Sequence, residues 1–198
     1  QAEDMLFTGG TLLTVMERPF TIDDITEIYI DHSTVADNTV QVNYDGETAT
    51  VYVAGNIARH VTATVSGAHV TITQSNTAAV DGDEITYVLS GSSSDGSLTL
   101  GGSYKCTVAL AGLTLTNPSG AALNITNSKR IQLSAKKGTE NTLTDGANGS
   151  QKACIYSKGQ LQLQGNGTLN VAGNTKHAIK SGDYITVKNL TLNITSAV

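Results

Sequence analysis

Apolar and polar residues alternate along most of this chain, the pattern of strands with one buried face. Beyond residue 121 the alternation also repeats. Three runs, Ile125-Thr-Asn-Ser-Lys-Arg-Ile131-Gln-Leu133, Ile155-Tyr-Ser-Lys-Gly-Gln-Leu161-Gln-Leu163 and Ile179-Lys-Ser-Gly-Asp-Tyr-Ile185-Thr-Val187, each follow an apolar residue with two more, six and eight positions later. Ile155 to Ile179, Leu161 to Ile185 and Leu163 to Val187 are all steps of 24, and Leu169 and Val171 recur as Leu192 and Ile194 after 23. Ile125 to Ile155 is 30, which gives the first copy about six extra residues, placed in the loop Lys136–Glu140. Short alternating strands at such a period predict a β-solenoid, whose coils bury their inward faces only by stacking on one another.

Taken from the start, residues 1–38 are the least patterned. Thr21-Ile-Asp-Asp24 suits the first turn of a helix and Ile28-Tyr-Ile30 a strand. Val40, Val42 and Tyr44, the turn Asp45-Gly46, then Val51 and Val53 predict a hairpin. Val61–Val65 and His69–Thr73, joined through Ser66-Gly67-Ala68, predict a second antiparallel pair. This N-terminal part is either a small antiparallel sandwich or the first irregular coils, and in both cases it caps the solenoid, because an open end exposes unpaired strand edges. From Ile85 the rhythm is regular: Ile85, Tyr87 and Leu89, then Leu98 and Leu100, then Cys106, Val108 and Leu110 with a bend at Gly112, then Leu113 and Leu115. The expected division is 1–82 as a β-rich cap or small domain and 83–198 as the solenoid. That leaves room for about five coils, roughly 25 Å of stacked strands, with the pattern expected to continue beyond Val198.

Composition agrees with many short strands and tight turns: 20 Gly, two Pro and no Trp, with 5% aromatic residues. No apolar run approaches the roughly 18 residues of a membrane-spanning helix. Charge is uneven. Residues 1–82 carry two Arg against eleven acids, a net of −9, whereas residues from 121 onward carry nine Lys or Arg against three acids, a net of +6. Such a contrast points the repeat region toward an anionic partner, or toward a merely solvated basic surface above an acidic cap. Cys106 and Cys154 fall in separate coils without zinc-like spacing, and are expected to be buried and unpaired.

A series of segments carries a resemblance. Ile85-Thr-Tyr-Val-Leu-Ser-Gly91, Ser94-Asp-Gly-Ser97, Ala111-Gly-Leu-Thr-Leu-Thr-Asn-Pro118, Gly138-Thr-Glu-Asn-Thr-Leu-Thr-Asp-Gly146, Leu163-Gln-Gly-Asn-Gly-Thr-Leu169 and His177-Ala-Ile-Lys-Ser181 occur in order. Over about residues 84–197 the chain resembles the secreted carbohydrate-binding β-helix family of bacterial cell surfaces. The resemblance implies an all-β chain with a right-handed parallel β-helix similar to polysaccharide lyases in fold. It implies binding of plant-type polysaccharides, acidic pectin included, and an extracellular or cell-surface location. It also implies calcium, held in typical members by acidic Asp-Asp-Gly or Gly-Asp-Gly-Ile-Lys segments. Here the matching position reads Lys176-His177-Ala178-Ile179-Lys180, without an acid.

The outward partners of the apolar repeat positions supply the candidate ligand groups. These are Lys152, Tyr156, Lys158, Lys176, Lys180 and Tyr184, with Lys129, Arg130 and Lys188 nearby in the pattern. Lys152 and Lys176 are 24 apart and are expected to stack. Ammonium and guanidinium groups bind uronate carboxylates through charge-assisted hydrogen bonds, and phenol rings stack on sugars. The plain alternative is that these lysines keep the solenoid soluble and block edge pairing. The expected function is therefore a non-catalytic polysaccharide-binding module, with no nucleic-acid partner. One alternative is a structural or adhesive surface protein with a protein ligand. Another is a lyase drafting Lys176, His177, Lys180 and Asp183, although no hydrolase or phosphate-loop motif is present. Asp95 and Asp145, each followed by Gly, are read first as turn residues and second as cation ligands. His32, His60 and His69 lack ligand spacing.

Overall fold

A computed structural model describes residues 35–147 and 153–197, with the strand placement of Met5–Thr8 and Ile28–Tyr29. Thr21–Asp24 and Lys152 lie outside the described residues. The strands are β1 (Met5–Thr8), β2 (Ile28–Tyr29), β3 (Thr39–Asp45), β4 (Thr48–Val53), β5 (Val61–Ser66), β6 (Ala68–Gln74), β7 (Ile85–Ser93), β8 (Gly96–Gly102) and β9 (Cys106–Asn117). They continue as β10 (Leu123–Ile125), β11 (Ile131–Ala135), β12 (Glu140–Asp145), β13 (Ala153–Ser157), β14 (Leu161–Gln164), β15 (Thr168–Gly173), β16 (His177–Ser181), β17 (Ile185–Val187) and β18 (Thr191–Ser196). Among the described residues one short 3-10 turn, Gly55–His60, interrupts the all-β structure.

Three parallel ladders account for most of the pairing. The first runs β3, β7, the first half of β9, β11, β14 and β17. The second runs β6, β8, β10, β13 and β16. The third runs the ends of β7 and β9, then β12, β15 and β18. After β9 the chain visits the second, first and third ladders in turn, so each circuit adds one rung to all three. The two predicted antiparallel pairs are present, β3 with β4 and β5 with β6. β3 and β6 also pair in parallel with β7 and β8, so the first two ladders extend into the N-terminal part.

Register stacks like on like. Ile85, Cys106, Ile131, Leu161 and Ile185 form one column, and Tyr87, Val108, Leu133, Leu163 and Val187 form the next. Above the last rung these side chains are buried, each removing about 1.5–3 kcal/mol of apolar exposure when large. Cys106 and Cys154 are buried free thiols, as expected, and burial pushes Cys106 up to about 12. Within these two columns Tyr87 alone brings a hydroxyl inside. Its hydroxyl donates to Gln74 Oε1 at 2.7 Å, and Gln74 Nε2 donates to Tyr104 O at 3.1 Å, so the buried phenol is satisfied.

Corners are held by asparagines. Asn141, fully buried, accepts from the backbone N–H groups of Gly112 and Leu113, both at 2.9 Å, and donates to Thr168 O and Thr139 Oγ1. This fixes the bend at which β9 leaves the first ladder for the third, with Gly112 at φ +86°. Gly91 makes the corresponding bend in β7 at φ +89°, and a Cβ there would meet Tyr44 O at 2.0 Å.

The repeat differs from its sequence reading in one respect. Leu123 pairs with Ile155, while Ile125 pairs with Ser157, which takes a buried inward position where an apolar residue is expected. The steps into the next rung are thus 32 from Leu123 to Ile155, 30 from Ile131 to Leu161 and 28 from Asn141 to Leu169. Against the later spacing, two extra residues precede Ile131, two lie in the loop Lys136–Thr139, and four lie between Asn141 and Ile155. The insertion is distributed over three corners because corners, unlike rungs, carry no register to preserve.

The last rung is bare. Ile185, Val187 and Ile194 are 40%, 56% and 53% exposed, and each of β16, β17 and β18 is paired on one side only among the described residues.

Candidate functional site

The outer face of the second ladder carries Lys158, Lys180 and one candidate phenol. On β13, alternation turns Ile155 inward and Tyr156 outward, with Lys158 exposed just past the strand end. On β16, Ile179 turns inward and Lys180 outward. The register pairs Tyr156 with Lys180, which sets the two residues beside each other on adjacent rungs, whose strands lie about 4.8 Å apart. Above them the same outward column is Asn124, Thr99 and Thr71. Below Lys158 stands Gly182, where a Cβ would meet Lys158 O at 2.4 Å, so no side chain crowds the lysine stem from that side.

Lys176 and Tyr184 flank β16 at its two ends, both exposed. Tyr184 is 56% exposed and occupies the corner column formed by Glu84, Lys105, Arg130, Gln160 and Tyr184, each one residue ahead of a stacked first-ladder position. Tyr156, Lys158 and Lys180 therefore share a face, and Tyr184 borders it. Lys152 lies outside the described residues. Among those described, no carboxylate pairs with Lys158, Lys176 or Lys180.

Arg130 is different. Its Nη2 donates to Glu84 Oε2 at 2.6 Å and its Nη1 to Glu84 Oε1 at 3.1 Å, while Thr107 Oγ1 donates to Glu84 Oε1 at 2.6 Å. Burial alone would raise the Glu84 carboxyl, but the hydrogen bonds from Arg130 and Thr107 outweigh it and hold the group below the usual carboxylate range. Arg130 is thus spent on a rung-to-rung staple, whereas Lys129 and Lys188 stay exposed.

Sequence spacing gave no role to His69, yet the register sets it beside β8. Its Nδ1 lies 2.8 Å from Ser97 Oγ and its Nε2 2.8 Å from Asp95 Oδ1. Ser97 is 9% exposed, and its carbonyl accepts the Tyr44 hydroxyl at 2.8 Å. With the serine buried, the trio staples β6 to the turn before β8. Asp95 serves that turn. Asp145 is buried at a corner, with Oδ1 accepting the Asn174 N–H.

A calcium ion does not suit these residues. The segment to which the resemblance points presents Lys176 and Lys180, and a hard dication needs several oxygen ligands. Among the described residues no group of three or more His, Cys, Asp or Glu could hold a metal. No helix among them is long and apolar enough to cross a membrane.

Comparison with known proteins fits this architecture. A solved structure titled as the polysaccharide lyase-like protein from C. thermocellum, gadolinium derivative, superposes with a TM-score of 0.61 at 24% identity over 78% of this chain, a likeness of fold. A carbohydrate-binding domain-containing protein of Acetivibrio thermocellus is 28% identical over 118 residues, 54% of this chain. The chain spans 41% of the length of that relative and 61% of the solved one. The family described as carbohydrate-binding domain-containing protein matches residues 66–198, which takes in all three ladders from β7 onward. On that match the chain belongs to the carbohydrate-binding domain-containing protein family.

Proposed function

We propose that this chain is a non-catalytic polysaccharide-binding module, exported to the cell surface or beyond, that takes an acidic plant-type glycan on the outer face of its second ladder. The observation that carries this reading is the pairing of Tyr156 with Lys180 on adjacent rungs, with Lys158 on the same face and no carboxylate partner for either lysine among the described residues. A uronate carboxylate accepts charge-assisted hydrogen bonds from such ammonium groups, and a sugar ring stacks on the phenol. Lys176 and Tyr184 extend the same surface at either end of β16, and Lys152, 24 residues before Lys176, is a candidate by sequence spacing alone. Lys158 and Lys180 stand on adjacent rungs, offset by two residues, on an exposed face, which suits an extended polymer.

The same reading takes the three ladders as a right-handed parallel β-helix of about five coils over 83–198, capped by 1–82. Support comes from the parallel registers and from the strong right-handed preference of crossovers between parallel strands.

Affinity electrophoresis of the wild type and of the triple variant Lys158→Ala, Lys176→Ala, Lys180→Ala in gels holding polygalacturonate, xylan or cellulose tests the assignment. Retardation by polygalacturonate that weakens about tenfold in the variant and fades with salt is the expected result. Unaltered retardation of the variant removes this face as the site.

A further inference from the structure

Away from the lysine face, an open hollow of about 300 Å³ lies between the end of the 3-10 turn and the segment joining β6 to β7. Arg59, His60, Asn76, Thr77, Val80 and Asp81 line it. Its walls are built rather than incidental. Asn38 Nδ2 donates to Val80 O at 2.7 Å and to Asp83 O at 3.2 Å, closing the small antiparallel bridge between Val80 and Asp83. Asn56 Nδ2 donates to Asn38 Oδ1 at 2.8 Å and to Asp81 Oδ2 at 2.9 Å. Asp81 is thereby held at φ +50°, a conformation rare for a residue with a side chain, and its carboxylate is anchored through one oxygen.

The polar groups around the hollow are complementary and incompletely used. Arg59 Nε donates to His60 Nε2 at 3.2 Å, and no carboxylate among the described residues lies within ion-pairing distance of the Arg59 guanidinium. Burial, with Arg59 beside it, pushes His60 below the ordinary histidine range, so the ring is neutral at neutral pH and can accept that bond. Asn76 is 4% exposed; its Nδ2 donates to Ala78 O at 3.0 Å, while its Oδ1 has no hydrogen-bond partner. The hollow therefore has a cationic donor and an anionic acceptor, with the two charges cancelling. A polyhydroxylated ring matches this set, because each sugar hydroxyl accepts one hydrogen bond and donates another. A lone carboxylate or ammonium matches it less well, since each meets one wall of its own sign. Its volume falls at the small end of ligand sites.

We propose that this hollow binds one residue of a neutral saccharide, with neighbouring hydroxyls bridging Arg59 and Asp81. The proposal rests on the reading that the protein binds carbohydrate and adds to it a second site of different charge preference. Arg59 and His60 lie outside the family match at 66–198, whereas Asn76, Thr77, Val80 and Asp81 lie within it.

The test is an NMR titration of the full chain with a β-1,4-linked xylose tetramer, a β-1,4-linked glucose tetramer and a galacturonate tetramer. A neutral tetramer should shift the amides of residues 59–60 and 76–81. Arg59→Gln and Asp81→Asn should each weaken that binding about tenfold. Asparagine tolerates the left-handed conformation and keeps the contact to Asn56, so the second variant preserves the fold. No shift at 59–60 or 76–81 with either neutral tetramer at about 10 mM overturns the proposal. So does binding that survives both the Arg59 and the Asp81 variants. Retained neutral binding with no response to galacturonate would sink the lysine-face assignment and leave this one standing.

Discussion

Arg130 reaches past an intervening rung to Glu84, 46 residues earlier, and closes a two-pronged ion pair at 2.6 and 3.1 Å. Both side chains are about four-fifths buried, at 20% and 16% exposure. The pair thus ties the rungs of β7, β9 and β11 together along the axis, at right angles to their apolar packing.

That pair makes stability depend on acid. The Glu84 carboxyl titrates below its unfolded value, so its contribution is complete above about pH 4.3 and is lost as pH falls through the folded value. Glu84→Gln should lower stability by about 1–3 kcal/mol at neutral pH and flatten this part of the acid dependence. Urea melts at a series of pH values measure both effects. Coincident stability curves for the variant and the wild type down to pH 3 would show that the pair contributes nothing.

Asn141 is expected to be indispensable at its corner. Asn141→Leu conserves volume but strands the backbone N–H groups of Gly112 and Leu113, and should cost about 2–4 kcal/mol. A loss under about 1 kcal/mol would mean that the bend holds itself.

Gly91 and Gly112 occupy equivalent bends with nearly equal φ, yet only one is crowded. A Cβ at Gly91 collides with the Tyr44 backbone, whereas one at Gly112 meets nothing within 4 Å. Gly112→Ala should cost about 1 kcal/mol from the left-handed conformation alone, and Gly91→Ala at least twice that. Thermal melts of the two variants side by side decide it; equal losses would contradict the clash.

Leu133 and Val187 share one column, separated by Leu163, but differ in cover. Leu133→Ala should cost about 2–5 kcal/mol. Val187→Lys, at a position 56% exposed, should change stability by less than about 0.5 kcal/mol and reduce binding of an apolar dye. Strong destabilisation by Val187→Lys would show that the last rung is covered in solution.

Tyr156 should act on sugar through its ring face, not its hydroxyl. Tyr156→Phe should keep polygalacturonate retardation within about twofold, and Tyr156→Ala should weaken it about fivefold or more. Retardation equal to wild type in the alanine variant would take the ring out of the site.

Period-two alternation by itself determined most of the strands, because a strand half in contact with a core must alternate. The 24-residue step determined which rungs stack, and Gly, Asn and Asp marked the turns. From the same pattern Tyr156, Lys158 and Lys180 were legible as outward-facing. Tertiary structure decided the rest. Ser157 fills a core position that hydrophobicity would give to an isoleucine, so the first repeat was read two residues out of register. Arg130 looks like a free cation until the fold brings Glu84 beside it from 46 residues away. His69 with Asp95 and Ser97, and the hollow between Arg59 and Asp81, join segments with no spacing signal between them. Periodicity is a local property that each strand writes for itself, whereas such pairings exist only once the rungs are stacked.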